Sequence, residues 1–275
     1  MRGPEILART MSAATRRGAS LREWQYHSRS DTHSKVACWA LLFDLLCECD
    51  VMRRHADEGR LGFGINHVMV GPINKTLDLV LTRISGAGAH PPRNAFAQLV
   101  DDYGIALSDD DRAALDRLPF VERDTANDVH EVVMAVEAKA CMTAHVKSMP
   151  RLHAEILATG YLARKASPRC ITVSYSLVNA AASFVATSGA TAANKHSQPA
   201  DAQRVVDMLA SAIPLARDVG SFGYDVVGVS VIDCRNDGSP VTALDAPPAP
   251  ARSDHVHYER MIRAICSEYR ARFSS

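Results

Sequence analysis

The hydrophobic pattern changes period several times along the chain, and each change marks an element. In SKVACWALLFDLLCECDVMRRH, apolar residues recur at Ala37, Leu41 and Leu45 and again at Trp39, Leu42, Phe43 and Leu46. That spacing predicts a long, largely buried helix over about 35–55, with Ser34 as its N-cap. INHVMVG and TLDLVLTR, separated by GPINK, then read as two strands joined by a turn. Alternation in the second puts Leu77, Leu79 and Leu81 on one face and Thr76, Asp78 and Val80 on the other. Residues 85–127 are rich in Gly, Pro and Asp and read as a surface insert. It holds one clear helix start at SDDDRAALDRL, where Ser108 caps and three aspartates favour the positive helix end.

Beyond the insert, HEVVMAVEAKA is the strongest strand signal, followed by a helix opened by Ser148 and Pro150 and a strand in RCITVSYSLV. Residues 187–200 read as a loop, DAQRVVDMLASAIPLA as a helix and YDVVGVSVID as a fifth strand. NDGSPVTALDAPPAPARSD reads as a Pro-rich linker before a closing amphipathic helix, HVHYERMIRAICSEYRARF. The order α, β, β, insert, β, α, β, α, β, α predicts an α/β fold with a central mixed β-sheet flanked by helices. It occupies a single domain over 35–275, preceded by a basic arm over 1–34, and no internal repeat is visible.

Composition narrows the class. The chain has 275 residues, 47% of them hydrophobic, enough for a sizeable core. No apolar run reaches membrane-spanning length and the first residues lack a signal-peptide core, so a cytoplasmic location is expected. Seven cysteines without a CxxC pair read as reduced, mostly buried thiols. Net charge is zero, but seven Lys/Arg against three acids fall within 1–35, six against one within 139–169, and ten acids against three arginines within 101–131. Such segregation lets one face attract an anion while another repels it. GRLGFG lacks the glycines and preceding strand of a dinucleotide fingerprint, and no GxSxG elbow surrounds Ser174 or Ser176.

The chemistry concentrates in VEAKA. Glu137 and Lys139 are two residues apart on a strand and project from one face. Charges at the end of a buried strand are exposed, paired or used, and an ordinary ion pair is the simplest reading. Asp78, inside an apolar strand where Asp is disfavoured, adds a second acid. If the two strands are neighbours, Asp78, Glu137 and the backbone carbonyl of Ala138 form an all-oxygen site suited to Mg²⁺, with Lys139 placed to orient an attacking water.

Asp78 on one strand and Glu137-Ala138-Lys139 on a later one, with a helix before and a helix after, resemble the PD-(D/E)xK nuclease superfamily, which includes many type II restriction endonucleases. The resemblance covers about 35–177 and implies a restriction-endonuclease-like core and a Mg²⁺-dependent endonuclease that hydrolyses phosphodiesters in double-stranded DNA as a homodimer. It implies Asp78 and Glu137 as metal ligands and Lys139 as the water-orienting group. It further suggests an accessory acid from the preceding helix, Glu48, with Asp44 one turn earlier. No proline directly precedes Asp78, and a core strand within the insert would make Asp128 an alternative to it as the first acid. After the motif, Thr143, His145, Lys147 and Arg151 are candidates for phosphate contacts, as are Arg9, Arg16, Arg17, Arg22 and Arg29 in the arm. Two other readings stay open: a non-catalytic nucleic-acid-binding protein of the same fold, and an unrelated α/β enzyme.

Overall fold

The computed structural model describes every residue except 14, 18–21, 70–73, 85–94, 124–128, 188–192, 220–222 and 275. The first half runs α1 (Gly3–Met11), β1 (Thr15–Arg17), β2 (Arg22–Trp24), α2 (Thr32–Glu48), α3 (Asp50–Asp57), β3 (Leu61–Met69), β4 (Lys75–Ile84), α4 (Ala95–Asp102), α5 (Asp109–Leu115) and β5 (Glu122–Arg123). The second runs β6 (Val129–Cys141), α6 (His145–Ala166), β7 (Ile171–Asn179), β8 (Ser183–Val185), β9 (Ala193–Lys195), α7 (Ala200–Ala212), α8 (Ala216–Val219), β10 (Val226–Asp233), β11 (Thr242–Leu244) and α9 (Tyr258–Phe273).

Seven strands form one mixed sheet in the order β11-β10-β7-β6-β4-β3-β5. β3, β4 and β6 are successively antiparallel, whereas β6, β7 and β10 are parallel and joined by crossovers through α6 and α7. β7, an interior strand, is buried along its whole length, as a strand covered on both faces must be. Helices α1, α2 and α9 pack on one side, α6 and α7 on the other. At Gly228 of β10 an added Cβ would lie 2.1 Å from the Met261 sulfur, so the missing side chain sets how closely α9 approaches.

The predicted central helix is apolar all round, with Trp39, Leu41, Leu42, Phe43, Leu45 and Leu46 fully buried. It starts earlier than predicted and breaks at Cys49, whose backbone is extended (φ −102°, ψ 99°), so it is two helices. Cys49 is joined by a disulfide to Cys266 of α9, with Cα atoms 5.5 Å apart. This corrects the expectation of reduced thiols throughout; partners 217 residues apart leave no spacing signature. Cys38, Cys47, Cys141, Cys170 and Cys234 are free.

Three further expectations are corrected. Residues 1–34 do not form an arm: α1 buries Ile6, Leu7 and Met11 against the core, and Asp44 of α2 accepts the amides of Arg2 (2.9 Å) and Gly3 (2.7 Å) at its start. The insert is not purely superficial, because Phe96, Leu99, Ile105, Leu118 and Val121 are core residues and β5 pairs with β3. Phe96 stacks on Trp39 at 4.8 Å and its carbonyl accepts the indole N–H. Within it, Ser108 does form the predicted cap, in a reciprocal box with Asp111. Finally, the Pro-rich linker contributes β11 to the sheet edge, and the predicted 187–200 loop includes β9, paired with β8. Among the described residues no helix is long and apolar enough to cross a membrane.

The second half of the chain is tied together by ion pairs around one aspartate. Asp225, just before β10, accepts hydrogen bonds from Arg164 of α6 (2.8 Å), from the amide and hydroxyl of Thr172 in β7 (2.8 and 3.0 Å) and from Arg272 of α9. Burial acts to raise its pKa, but these donors and both guanidinium charges hold it below the usual aspartate value of 3.8. Asp225→Ala leaves two guanidiniums without their acceptor and should cost about 3–5 kcal/mol in denaturant unfolding at pH 7. Because the folded pKa is lowered, this contribution is present above pH 3.8 and is lost as pH falls through the folded value. The gap between wild type and variant should therefore narrow in acid below that point.

Candidate active site

β4 and β6 meet with Leu79 opposite Val136 and Val80 opposite Ala135, so the next rung sets Asp78 beside Glu137. The backbone ladder between these strands ends there. Asp78 takes over with its side chain: Oδ2 accepts the amide of Ala138 at 2.8 Å. Strand pairing thus closes the long separation along the chain and puts the acid of β4 against the Glu137-Ala138-Lys139 end of β6.

Glu137 is 1% exposed. Its Oε1 accepts from Lys139 at 2.7 Å and from Lys75, the first residue of β4, at 3.3 Å. Its Oε2 is buried with no hydrogen-bond partner. On the far side, the parallel register with β7 sets Ser174 beside Glu137 and Ser176 beside Lys139, and both hydroxyls are also buried without a partner. Lys139 is followed outward by Glu155 of α6 (3.7 Å), which in turn pairs with Arg151 (3.5 Å). The row Asp78, Glu137, Lys139, Glu155, Arg151 runs from the sheet to the surface of α6.

The electrostatics follow from this crowding. Burial, and after it the charge of Glu137, pushes Asp78 up to about 6, against the pull of the Ala138 amide, Lys139 and Lys75. Lys139 is raised: burial alone would lower it, but Glu137, Asp78 and Glu155 outweigh that. Cys38 of α2 feels burial first and then both acids, which lift its thiol pKa well above the usual value. The pair is therefore a buried acidic site that two lysines only partly neutralise.

Compared with protein-family models, curated proteins and solved structures, the chain matches none.

The other sequence candidates divide. Lys147 and Arg151 are exposed near the start of α6, Arg151 at 80% of its side chain. Thr143 is bonded through its hydroxyl to His196 at 3.1 Å. His145 is corrected from a phosphate contact to a structural residue: it is 2% exposed, and its Nε2 donates to the Asn179 carbonyl at 2.6 Å. Burial lowers its pKa, which disfavours the charged form that would meet a phosphate. Glu48 is corrected as well. It is the last residue of α2, about 15 Å along the axis beyond Cys38 at 1.5 Å per residue, and lines a cleft with Arg2, Arg53 and Arg117. Asp44, one turn earlier, is occupied by the start of α1. In the former arm, Arg9 pairs with Asp111 at 3.1 Å. Arg16 and Arg17 lie in β1, and their side chains, like Asp128, fall outside the described residues. Cys49, Asp50 and Cys266 also bring three metal-type atoms together, but the two sulfurs are joined to each other.

Sequence reasoning missed Lys75, Glu155, Ser174 and Ser176. The serines had a signal: in ITVSYSLV, Thr172, Ser174 and Ser176 alternate with Val173, Tyr175 and Leu177, a polar stripe on one face of a strand buried on both. Lys75 and Glu155 had none, because their meeting with Glu137 and Lys139 depends on strand register and helix placement.

A raised folded pKa means that ionised Asp78 destabilises the fold, fully above pH 6 and not at all below 3.8. Asp78→Asn keeps an acceptor for Ala138 and removes the charge. In metal-free buffer at pH 7.5 it should gain about 1–3 kcal/mol in denaturant unfolding. That gain should vanish near pH 4; a variant less stable than wild type at pH 7.5 contradicts the electrostatic picture.

Proposed function

We propose that this chain is a Mg²⁺-dependent endonuclease of the PD-(D/E)xK type that hydrolyses phosphodiesters in double-stranded DNA. What supports the reading most is the seam between β4 and β6, where Asp78 is hydrogen-bonded to the peptide between Glu137 and Lys139. Setting aside α3, α4, α5 and β5, the element order around it, α2, β3, β4, β6, α6, β7, matches the helix, three strands, helix and strand of the resemblance.

The residues fit a divalent cation. Two carboxylates crowd together, one buried oxygen of Glu137 has no partner, and every donor is a hard oxygen. Asp78 and Glu137 would hold the ion with the Ala138 carbonyl. When bound, Mg²⁺ supplies Lewis acidity toward the phosphate and lowers the pKa of water. Lys139, kept charged by its three acidic neighbours, donates to the attacking water and offsets charge that develops in the transition state. Lys147 and Arg151 offer charge to flanking phosphates, where the amides at the start of α6 also favour anions. Cutting a palindromic site calls for a homodimer.

Purified protein should nick or linearise plasmid DNA with Mg²⁺ and not with EDTA. Glu137→Ala and Lys139→Ala should each lower the rate by about 10²–10³-fold while circular dichroism stays unchanged. Full activity in either variant would falsify the site. DNA binding without metal-dependent cleavage across a mixed substrate would instead favour the non-catalytic binder. Arg151→Ala should weaken DNA binding to all sequences alike and reduce the slope of log K against log salt by about 1.

A further inference from the structure

Glu137 carries two lysines on the same oxygen. Lys139 comes from its own strand, two residues on, and is also held by Glu155. Lys75 comes from the neighbouring strand, three residues before Asp78, and reaches only Glu137 among the described acids. It is 29% exposed and stands at the first residue of β4, so its stem opens toward solvent. The opposite oxygen of the same carboxylate is buried and has no partner. One side of Glu137 is thus doubly covered and the other bare.

This asymmetry makes sense if the two lysines differ in role. A divalent ion held by Asp78 and Glu137 would add two positive charges close to both ammoniums. The like-charge repulsion falls on each, but Lys139 has Glu155 to keep it in place and Lys75 does not. Lys75 is also the longer and more weakly bonded contact, at 3.3 Å against 2.7 Å. A lysine displaced from there has a flexible four-carbon stem and three donors. The negative group that arrives with a phosphodiester substrate is the phosphate itself.

We propose that Lys75 is an exchangeable counter-ion of this site: it neutralises Glu137 while no cation is bound, is released by charge repulsion when a divalent ion reaches the bare oxygen of that carboxylate, and then contacts a non-bridging oxygen of the substrate phosphate. The inference rests on Asp78 and Glu137 being the ligands of that ion. It adds a second lysine, outside the Glu137-Ala138-Lys139 motif, whose two positions are selected by metal and substrate together.

The test is titration of the full chain with Mg²⁺, and with Mn²⁺ as a second probe, by calorimetry without DNA. Lys75→Met should bind the ion more tightly than wild type, by about 3- to 30-fold, because a competing positive charge is gone. Lys75→Arg keeps the charge and should return affinity to within about twofold of wild type. With DNA, Lys75→Met should cleave more slowly at saturating Mg²⁺ despite its tighter ion. Unchanged or weaker ion binding in a folded Lys75→Met overturns the proposal, since a purely structural partner of Glu137 would leave the site intact or disordered. If wild type binds neither ion, or Asp78→Asn binds as well as wild type, the metal-site reading itself fails and this inference with it.

Discussion

The hydrogen bond from the Ala138 amide to Asp78 is the point on which the candidate site depends. It lies where β4 and β6 stop pairing through their backbones, so a side chain finishes the seam that main-chain groups began. Because it fixes the last rung, it also fixes which residues share it: Asp78 and Glu137 are held side by side by the register of the sheet, not by a flexible loop. A one-residue slip would turn Asp78 into the α2 side of the core, among Leu79, Leu81, Met134 and Val136. The apolar layers on both faces oppose that slip, and the site inherits its precision from them.

How far this could be read from the chain differs by residue. That Glu137 and Lys139 share a face follows from strand parity alone, and the pattern in HEVVMAVEAKA made the strand plain. That Asp78 lies beside them does not follow from any local pattern, since residues 79–136 intervene; it needed the antiparallel register. Glu48 was misjudged because helical spacing tells which face a residue occupies and says nothing of which end approaches the neighbouring strand. The basic N-terminus was misjudged because its arginines outnumber its acids locally, whereas the partners of Arg2 and Arg9 come from Asp111, about a hundred residues on. The core contribution of Phe96 and its neighbours was hidden by the Gly, Pro and Asp around them, which speak for the turns between short helices and conceal the apolar side chains within them.

Those corrected pairings also reshape the electrostatic picture. The basic start and the acidic insert looked like opposed faces, but part of each is spent on the other through Asp111. With a net charge of zero, attraction for a polyanion cannot come from the molecule as a whole. It has to come from a local group of cations, and exposed Lys147 and Arg151 at the start of α6 lie next to the end of β6, where the acids are. An acidic pair close to a basic helix start is the combination a metal-assisted phosphodiesterase calls for, because the ion and the phosphate need opposite charges within a few ångströms of each other.

The strongest argument against an ordinary ion pair comes from a second buried acid in the same molecule. Asp225 is also withdrawn from solvent, and the fold treats it as a structural charge: two guanidiniums, an amide and a hydroxyl converge on it, and its pKa falls below the usual value. The Asp78 and Glu137 pair is handled the opposite way. Asp78 is pushed up to about 6, Glu137 keeps a buried oxygen without a donor, and the serines alongside point no hydroxyl at it. A buried acceptor left unmet costs stability that pairing of the other oxygen does not return. Every carboxylate contact of Asp225 is thus a donor, whereas Glu137 keeps one oxygen without any, although α6, which supplies Arg164, also covers β6 and β7. An unfilled acceptor and a raised carboxylate pKa in one place are the two observations on which the proposed cation site rests.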